Sequence, residues 1–540
     1  MARAVRAALM SFARNAASVG LLTLFSRLLG FARDTMMAAA LGAGPVADAF
    51  VVAFRLPGLV RRLLAEGAVN TAFVPLHGEA ERDGQGGAYA DAVFTVVTLG
   101  FSLLTVLALI AMPLVVAGVA PGFAEGGGQV DLAVTLSRIT FGYCLATALM
   151  VIASAVLNVH GRFLASAAAP TLVNVLTILA LLAVPRLGII REEAIALFLS
   201  YAVLAGGIAQ AGLVFVALRR AGLALRLVRP RLSGPVRSFF RLALPGMAAA
   251  GVAQVNAFVG LVVASPEPGA VTWLYYADRV YQLPLGIVSV AIGIALLPEI
   301  ARHSAGGDQA AERSAFSRAS EFGVFLSLPA TLALILAAHP IVAVLFEHGA
   351  FTAADTRETA YALALYAVGL PAFVGARLIQ PLFFARLWMR PPFIAALIGV
   401  AADIGFSIAL FPVWHQAGIA AAAAISGWLN LVLLALLAGV QGLLGLDAAA
   451  RRRLPRLMLA GAAMAVLVAA ASPAVEAWSG PDHPLWQRLL ALALLCGGGL
   501  LAFVVAGLGL GGLDAAALRA AFKRRAGPTP CVRPPAWPDR

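Results

Sequence analysis

The sequence predicts an all-α polytopic membrane protein of about fourteen transmembrane helices. They are arranged as two pseudo-symmetric six-helix lobes followed by two further C-terminal helices. Three observations carry this reading. Apolar runs of about 20 residues, the length a bilayer core demands, recur from end to end of the 540-residue chain. Basic residues collect in alternate connections between those runs. A stretch beginning at Ala47 returns, altered, at Ala277.

Composition sets the class first. The chain is 61% hydrophobic and 12% charged, with a mean hydropathy of +0.92, whereas a soluble protein carries about 25% charged residues. The formal net charge of +13 would suit nucleic acid in a soluble protein. Here the basic residues lie between apolar runs, so the charge reads as a membrane-orientation signal and no nucleic-acid partner is expected. Cys144, Cys496 and Cys531 fall in two apolar runs and the tail without paired spacing, which implies neither a disulfide framework nor a metal site. The N-terminus has no small-residue cleavage site after a short apolar core, so no removable signal is expected.

The apolar runs place spans one to six at roughly 12–40, 46–76, 88–118, 132–158, 164–184 and 192–219. Six more follow at 238–264, 270–300, 314–338, 354–384, 391–411 and 417–440, and a final pair at 455–473 and 486–510. Connections such as "APGFAEGGGQ" and "SPEPG" are short and rich in Gly and Pro, and no soluble domain interrupts the pattern. The organisation expected is an N-lobe over 1–220, a basic linker over 221–237 and a C-lobe over 238–440. The last two spans lie within 441–512, and a tail over 513–540 has the composition of disorder.

Counting basic residues by side tests the span number. The N-terminus, every second connection, the linker "RRAGLALRLVRPRLSGPVRSFFR", the "RRRLPR" run and the tail hold 26 of the 39 basic residues. The opposite side holds three, Arg186, Arg191 and Arg488. An even number of spans with both termini cytoplasmic follows from this split.

The repeat supplies the two lobes. "ADAFVVAFRLPGLV" leads to a second Pro and a Gly-rich polar loop, and "ADRVYQLPLGIVSVAIGIALLPEIARHSAGGD" does the same about 230 residues later. "LNVHGRF" and "FFARLWMR" echo each other at a similar offset. Both copies sit in even-numbered spans and cross the membrane in the same direction. Parallel repeats of this kind place substrate between the lobes.

The charges inside the spans point to chemistry. Span one holds Arg27, Arg33 and Asp34, with Arg27 and Asp34 about 20° from the same helix face. Span two holds Asp48, Arg55, Arg61, Arg62 and Glu66, interrupted by Pro57 and Gly58, which permit a bend. Span eight adds Asp278 and Arg279 in "WLYYADRVYQLP". Each charge at mid-bilayer costs about 2.5–3.5 kcal/mol on insertion scales, so these groups must face one another or a water-filled cavity. The purely structural reading makes them Arg–carboxylate pairs that lock helices together. A locking device would be balanced, yet six arginines here stand against four acids. That surplus implies an absent anion, and arginine forks suit phosphate. Asp403, alone in "LIGVAADIGFSIAL", reads either as a cation or proton site or as an acid bonded to its neighbours. Gln254 and Asn256 read either as cavity lining or as interhelical hydrogen bonds, and "LFEHGAFTAAD" as a short solvated loop. The chain has no P-loop, zincin or nucleophile-elbow motif, so no enzyme chemistry and no ATP hydrolysis are expected.

"FSRLLGFARD", "DAFVVAFRLPGLVRRLLAEGAVNTAFVP", "APGF", "WLYYADRVYQLPLGIVSVAIGIALLP" and "FTAADT" resemble the MurJ (MviN) family of bacterial lipid II flippases. The likeness runs from about residue 10 to 510. The family lies within the multidrug/oligosaccharidyl-lipid/polysaccharide exporter superfamily. The resemblance implies a transporter of the bacterial inner membrane that acts in peptidoglycan synthesis. It would flip undecaprenyl-linked lipid II to the periplasmic leaflet by alternating access. By the same resemblance Arg27, Arg33, Arg279 and neighbouring Asp34 would line a central cavity and hold the diphosphate. Asp48, Arg61, Arg62 and Glu66 would match the family's span-two cluster, and the last two helices would form a groove for the lipid tail. A sodium site in some members uses acids of spans seven and eleven; here span seven offers Gln254 and Asn256, and span eleven keeps Asp403. The membrane potential is the expected driving force, with sodium or proton coupling open and no cofactor. Anionic membrane lipids and cell-wall synthesis proteins complete the expected partners. The alternatives are a flippase for another polyprenyl-linked oligosaccharide and a cation-coupled exporter of the same superfamily.

Overall fold

A computed structural model of the chain describes residues 2–125, 128–230, 234–295, 309–480 and 483–513. The side chains of Glu66 and Asn256 and nearly all of the tail, which the sequence reading singles out, lie outside the described residues. The described chain is helical, in the order α1 (Ala2–Leu41), α2 (Pro45–Arg62), a π-helix (Leu63–Phe73), α3 (Val74–Arg82), α4 (Gly86–Ile110) and α5 (Met112–Val119). There follow α6 (Gln129–Val159), α7 (Leu164–Ala183), α8 (Glu192–Arg220), α9 (Gly234–Ala264) and α10 (Ala270–Ala295). The last six are α11 (Gln309–Leu336), α12 (Ala338–Phe346), α13 (Ala353–Phe384), α14 (Arg390–Val440), α15 (Ala448–Ser479) and α16 (Leu485–Gly509). The helices are grouped below by the expected division, with α1–α8 as the first lobe, α9–α14 as the second and α15–α16 as the terminal pair.

Among the described residues nine helices are long and apolar enough to cross a membrane. One of them, α14, holds two of the spans read from sequence, joined across a break at His415, whose φ is 47°. The 18-residue α2 is not among the nine, because it carries Asp48, Arg55, Arg61 and Arg62. Bundle surfaces present large apolar side chains, such as Leu114, Val466, Leu494 and Leu501. Such a belt is stable only against hydrocarbon.

Span two departs from the expected bend. Pro57 stays within α2, whose helix runs on to Arg62, and the irregularity falls at the π-helix Leu63–Phe73. A π-turn widens the helix and re-aims every side chain beyond it. Asp48, Arg55 and Arg62 precede it on α2 and keep their seven-residue spacing.

Within the first lobe α6 packs on α2, α4 and α8, and α1 lies along α7. Within the second, α13 packs against α10, α11 and α14. The terminal pair α15 and α16 packs on itself and on α11. Buried apolar side chains form two clusters. The larger includes both lobes at the end poor in basic residues; the smaller joins Leu64, Phe73, Tyr89 and Val93 to Phe239 and Ala243 of α9, nearer the basic-rich end.

The loop 347–351 corrects another expectation. It is not merely solvated. The Ala350 N–H donates to the Ala39 carbonyl of α1 at 2.8 Å. Gly349, at φ +65°, sits so close to α1 that an added Cβ would lie 2.2 Å from the Ala39 oxygen. Gly42, at φ +62°, meets the Ala350 oxygen in the same way. Only glycine combines that left-handed backbone with that approach. From the other side Arg488 of α16, 4% exposed, donates to the Ala343 carbonyl at 2.5 Å and to the Glu347 carbonyl at 3.3 Å. These are last-turn and capping carbonyls of α12, where a cation is favoured. Arg488→Ala is expected to cost about 2 kcal/mol, the worth of charged hydrogen bonds to carbonyls left buried. A lowered thermal unfolding midpoint of purified protein, partly restored in Arg488→Lys, is the expected readout.

Candidate functional site

Three helices bring the site together. Arg33 and Asp34 lie on α1, Tyr275 and Arg279 one turn apart on α10, and Asn174 on α7. Arg33 is 6% exposed and Asp34 1%. The Arg33 Nη2 sits 2.5 Å from Asp34 Oδ1, and its Nε donates to the same oxygen at 3.0 Å. Its Nη1 donates to Asn174 Oδ1 at 2.9 Å, and the Asn174 amide donates in turn to the Ser26 carbonyl at 3.0 Å. Adjacent residues on a helix point about 100° apart. The pairing therefore rests on the length of the arginine and on Asn174, which holds its far end.

The second lobe completes the cluster. The Tyr275 hydroxyl donates to Asp34 Oδ1 at 3.0 Å and accepts from Arg279 Nη2 at 3.0 Å. Arg279 Nε lies 3.2 Å from Asp34 Oδ2. Arg279 and Arg55 stand over the Tyr275 ring at 4.7 and 5.1 Å, and Arg33 stands over Phe54 at 4.6 Å. Cation–π contacts of this kind hold a guanidinium while leaving its edge free to bond elsewhere. Three guanidiniums thus surround one tyrosine and one carboxylate. The Arg279 side chain keeps 32% of its surface exposed against 8% for Arg33. Arg33 is the anchored cation and Arg279 the accessible one.

Other residues singled out by sequence lie around this cluster or apart from it. Arg27 is exposed, and its Nη1 lies 2.8 Å from where a Cβ on Gly286 of α10 would stand. It is seven residues, or about 10 Å of helix, from Asp34. Although the two share a helix face, Arg33 and Arg279 take both carboxylate oxygens. Asp278 is half-buried and accepts from Gln282 on its own helix at 2.5 Å. Arg61 is half-buried at the end of α2, and Arg62 donates to Gln254 Oε1 of α9 at 3.0 Å, joining the lobes.

Asp48 lies apart from the arginine cluster. Sequence placed it with the substrate-binding residues. In the structure it is fully buried and, among the described residues, pairs with no arginine. Its Oδ2 accepts from the Gly269 N–H at 2.6 Å, and its Oδ1 from the Thr272 N–H at 2.9 Å and the Thr272 hydroxyl at 2.6 Å. A carboxylate at the free N–H groups of a helix start is a stable arrangement, and it ties α2 of one lobe to α10 of the other. Alongside, Asp355 of the "FTAADT" motif forms a capping box with Thr352 and accepts from Trp273 Nε1 at 2.9 Å. The Gly122 N–H donates to Ser265 Oγ at 2.9 Å. The basic-poor end of the lobe interface is thereby latched in several places.

Asp403 stands apart. It is 6% exposed on α14, and its Oδ1 has no hydrogen-bond partner among the described residues. Ser407 Oγ, one turn on, and Asn430 Oδ1 are likewise unpartnered. The reading of Asp403 as an acid satisfied by its neighbours is thus not what the structure has at that oxygen. Sequence reasoning missed Asn174, Phe54, Tyr275 and Thr272. Tyr275 was detectable, one helical turn before Arg279 and hence on its face; a single Asn in an apolar run gave no comparable signal.

The arrangement can receive an anion. Arg279, Arg55 and Arg27 offer accessible guanidinium forks along the lobe interface, matched in geometry to phosphate or carboxylate.

Comparison with known proteins gives one consistent result. A family model described as Lipid II flippase MurJ matches residues 37–485. A protein of Rhizobium meliloti (strain 1021), named probable lipid II flippase MurJ, is 40% identical over 535 residues, covering 98% of this chain and 100% of its own. A protein of the same name from Rhizobium tropici is 40% identical over 520 residues, covering 96% and 97%. Among solved structures, lipid II flippase MurJ in an inward closed conformation superposes with a TM-score of 0.74 at 23% identity, over 93% of this chain and 99% of that one. An inward-facing MATE family transporter of the MOP superfamily follows at 0.64 and 15%, over 77% and 94%. These two structural matches establish the fold.

Proposed function

The chain belongs to the lipid II flippase MurJ family, a family of transporters rather than enzymes, and from that premise we propose that it moves lipid II from the cytoplasmic to the periplasmic leaflet by alternating access. The single observation that carries the mechanism is the ring of arginines about Asp34 at the lobe interface. The lipid diphosphate takes the forks of Arg279, Arg55 and Arg27. It competes with Asp34 for Arg279, while Asn174 keeps Arg33 in place to hold Asp34. The surplus cationic charge then has its anion, and the lobes rock about the bound head group. The isoprenoid stays in lipid along α15 and α16. The distribution of arginines supports a cytoplasmic position for the basic-rich end and both termini.

The driving force follows from charge. An inside-negative potential favours outward movement of anions by about 2.3 kcal/mol per charge per 100 mV. A substrate with several negative charges needs no nucleotide hydrolysis. Asp403, with its unpartnered oxygen and Ser407 one turn away, is the carboxylate available to a coupling proton or sodium ion.

The test is transport in a host depleted of its own flippase. Lipid II reaching the outer leaflet is measured with an enzyme that cleaves it only there. The wild-type chain restores cleavage product, and Arg279→Ala does not, at equal protein level in the membrane. Full restoration by Arg279→Ala would refute the arginine clamp, and no product from the wild type would refute lipid II as substrate.

A further inference from the structure

The basic-rich end of the first lobe holds a cleft of about 650 Å³ between α1, the turn from α6 to α7, and the end of α8. Its wall is apolar, formed by Val19, Leu164, Ala168, Leu213 and Val216 among others. Its rim carries Arg162 and Arg220, both exposed. No acidic residue lines it. The first free N–H groups of α7 lie at the same turn, because α7 begins at Leu164.

The turn from α6 to α7 and the matching turn from α13 to α14 each contain a left-handed residue, Gly161 and Leu387. In both, the preceding side chain faces a glutamate: His160 lies 3.4 Å from Glu81, and Arg386 lies 2.8 Å from Glu312. Arg162 lies one residue beyond that pairing. Among the described residues neither Arg162 nor Arg220 has an ion-pair partner. Two cations above an apolar slot form an amphipathic site, with the charge at headgroup level and the slot running into the hydrocarbon. A soluble phosphate would use the rim and leave the slot unfilled, and an uncharged lipid would use the slot and leave the arginines unpaired.

We infer that this cleft is a binding site for an anionic glycerophospholipid of the leaflet at the basic-rich end, its phosphate on Arg162 and Arg220 and one acyl chain along Leu213 and Val216. The site lies on the outside of the first lobe, away from Arg279 and Asp34, and does not depend on which molecule is transported.

Native mass spectrometry of the full-length chain in detergent tests it, with phosphatidylglycerol and phosphatidylcholine of identical chains as probes. The wild type is expected to retain one phosphatidylglycerol with about thirtyfold preference, two arginines each contributing about a factor of five at a lipid surface. The pair Arg162→Ala and Arg220→Ala removes the preference, while Arg162→Lys with Arg220→Lys retains it. Leu213→Trp fills the slot and removes retention with both arginines intact. Glycerol 3-phosphate, the headgroup anion without chains, does not bind at the same concentration. Equal retention of the two lipids by the wild type would overturn the proposal, as would unchanged retention in the alanine pair or in Leu213→Trp. Binding of glycerol 3-phosphate as strong as that of the lipid would make the site a plain anion site and overturn it too. Lipid II transport by the alanine pair at the wild-type level confirms that the variant is folded.

Discussion

Arg33→Ala is expected to abolish lipid II transport and also to destabilise the protein by about 3–5 kcal/mol, the cost of removing one partner from a buried ion pair. The second effect separates it from Arg279→Ala. Arg33 closes a chain of bonds from Asp34 to Asn174 to the Ser26 carbonyl, joining α1 to α7. Its loss leaves the Asn174 oxygen without its donor and Asp34 without its nearer cation. Arg279 is part-exposed, and its loss leaves Asp34 still held by Arg33 and by the Tyr275 hydroxyl. About 1 kcal/mol or less of stability is expected to go with Arg279, in keeping with its exposure. Arg33→Lys does not rescue, because one ammonium cannot reach Asp34 and Asn174 together as a planar fork does. Reversible unfolding in mixed micelles, run beside the transport assay, separates the two roles. An Arg33→Ala protein as stable as the wild type would show that Arg33 anchors nothing.

The contrast between these arginines marks the limit of what the sequence made legible. Apolar run lengths, the alternation of basic connections and the repeat from Ala47 to Ala277 sufficed for the fold class, because each is a property of one segment or of its periodicity. The existence of a charged cluster was legible for the same reason: three spans carry ions that lipid would not accept. The pairing inside it was not. Helical spacing put Arg27 and Asp34 near one face, but spacing ignores the reach of a side chain and the neighbours supplied by other helices. Asn174, 141 residues from Arg33 along the chain, decides which arginine Asp34 receives. The contacts of Asp48 were illegible for a simpler reason. Its partners include two backbone N–H groups, and a backbone donor has no residue identity to read. The π-helix at Leu63–Phe73 and the break at His415 likewise fall beyond Pro57 and Pro412, which stay inside helices.

Asp48→Ala is expected to open the basic-poor end of the lobe interface and slow transport while leaving lipid II bound. The carboxylate satisfies three buried donors from Gly269 and Thr272. Alanine leaves all three unpaired in the latched state, whereas opening exposes them to water. A cost of about 2–4 kcal/mol follows for the latched state alone, and each 1.4 kcal/mol is tenfold in population. A shift of about thirtyfold to several-hundredfold toward the open state is therefore expected. Gly349→Ala acts on the same end without touching charge, because its Cβ would meet the Ala39 carbonyl at 2.2 Å and its φ of +65° is strained for alanine. Spin labels at Glu125→Cys and Ala354→Cys, one on each lobe, report the separation once Cys144, Cys496 and Cys531 are replaced. One short distance is expected in the unmodified latch, and a second, longer population in both Asp48→Ala and Gly349→Ala. If neither variant adds the longer distance, these contacts do not hold the end closed. Binding then divides the roles. Retained lipid II on Asp48→Ala and lost lipid II on Arg279→Ala would assign the first residue to closure and the second to the ligand. Loss of binding in both would return Asp48 to the substrate site where sequence spacing first put it.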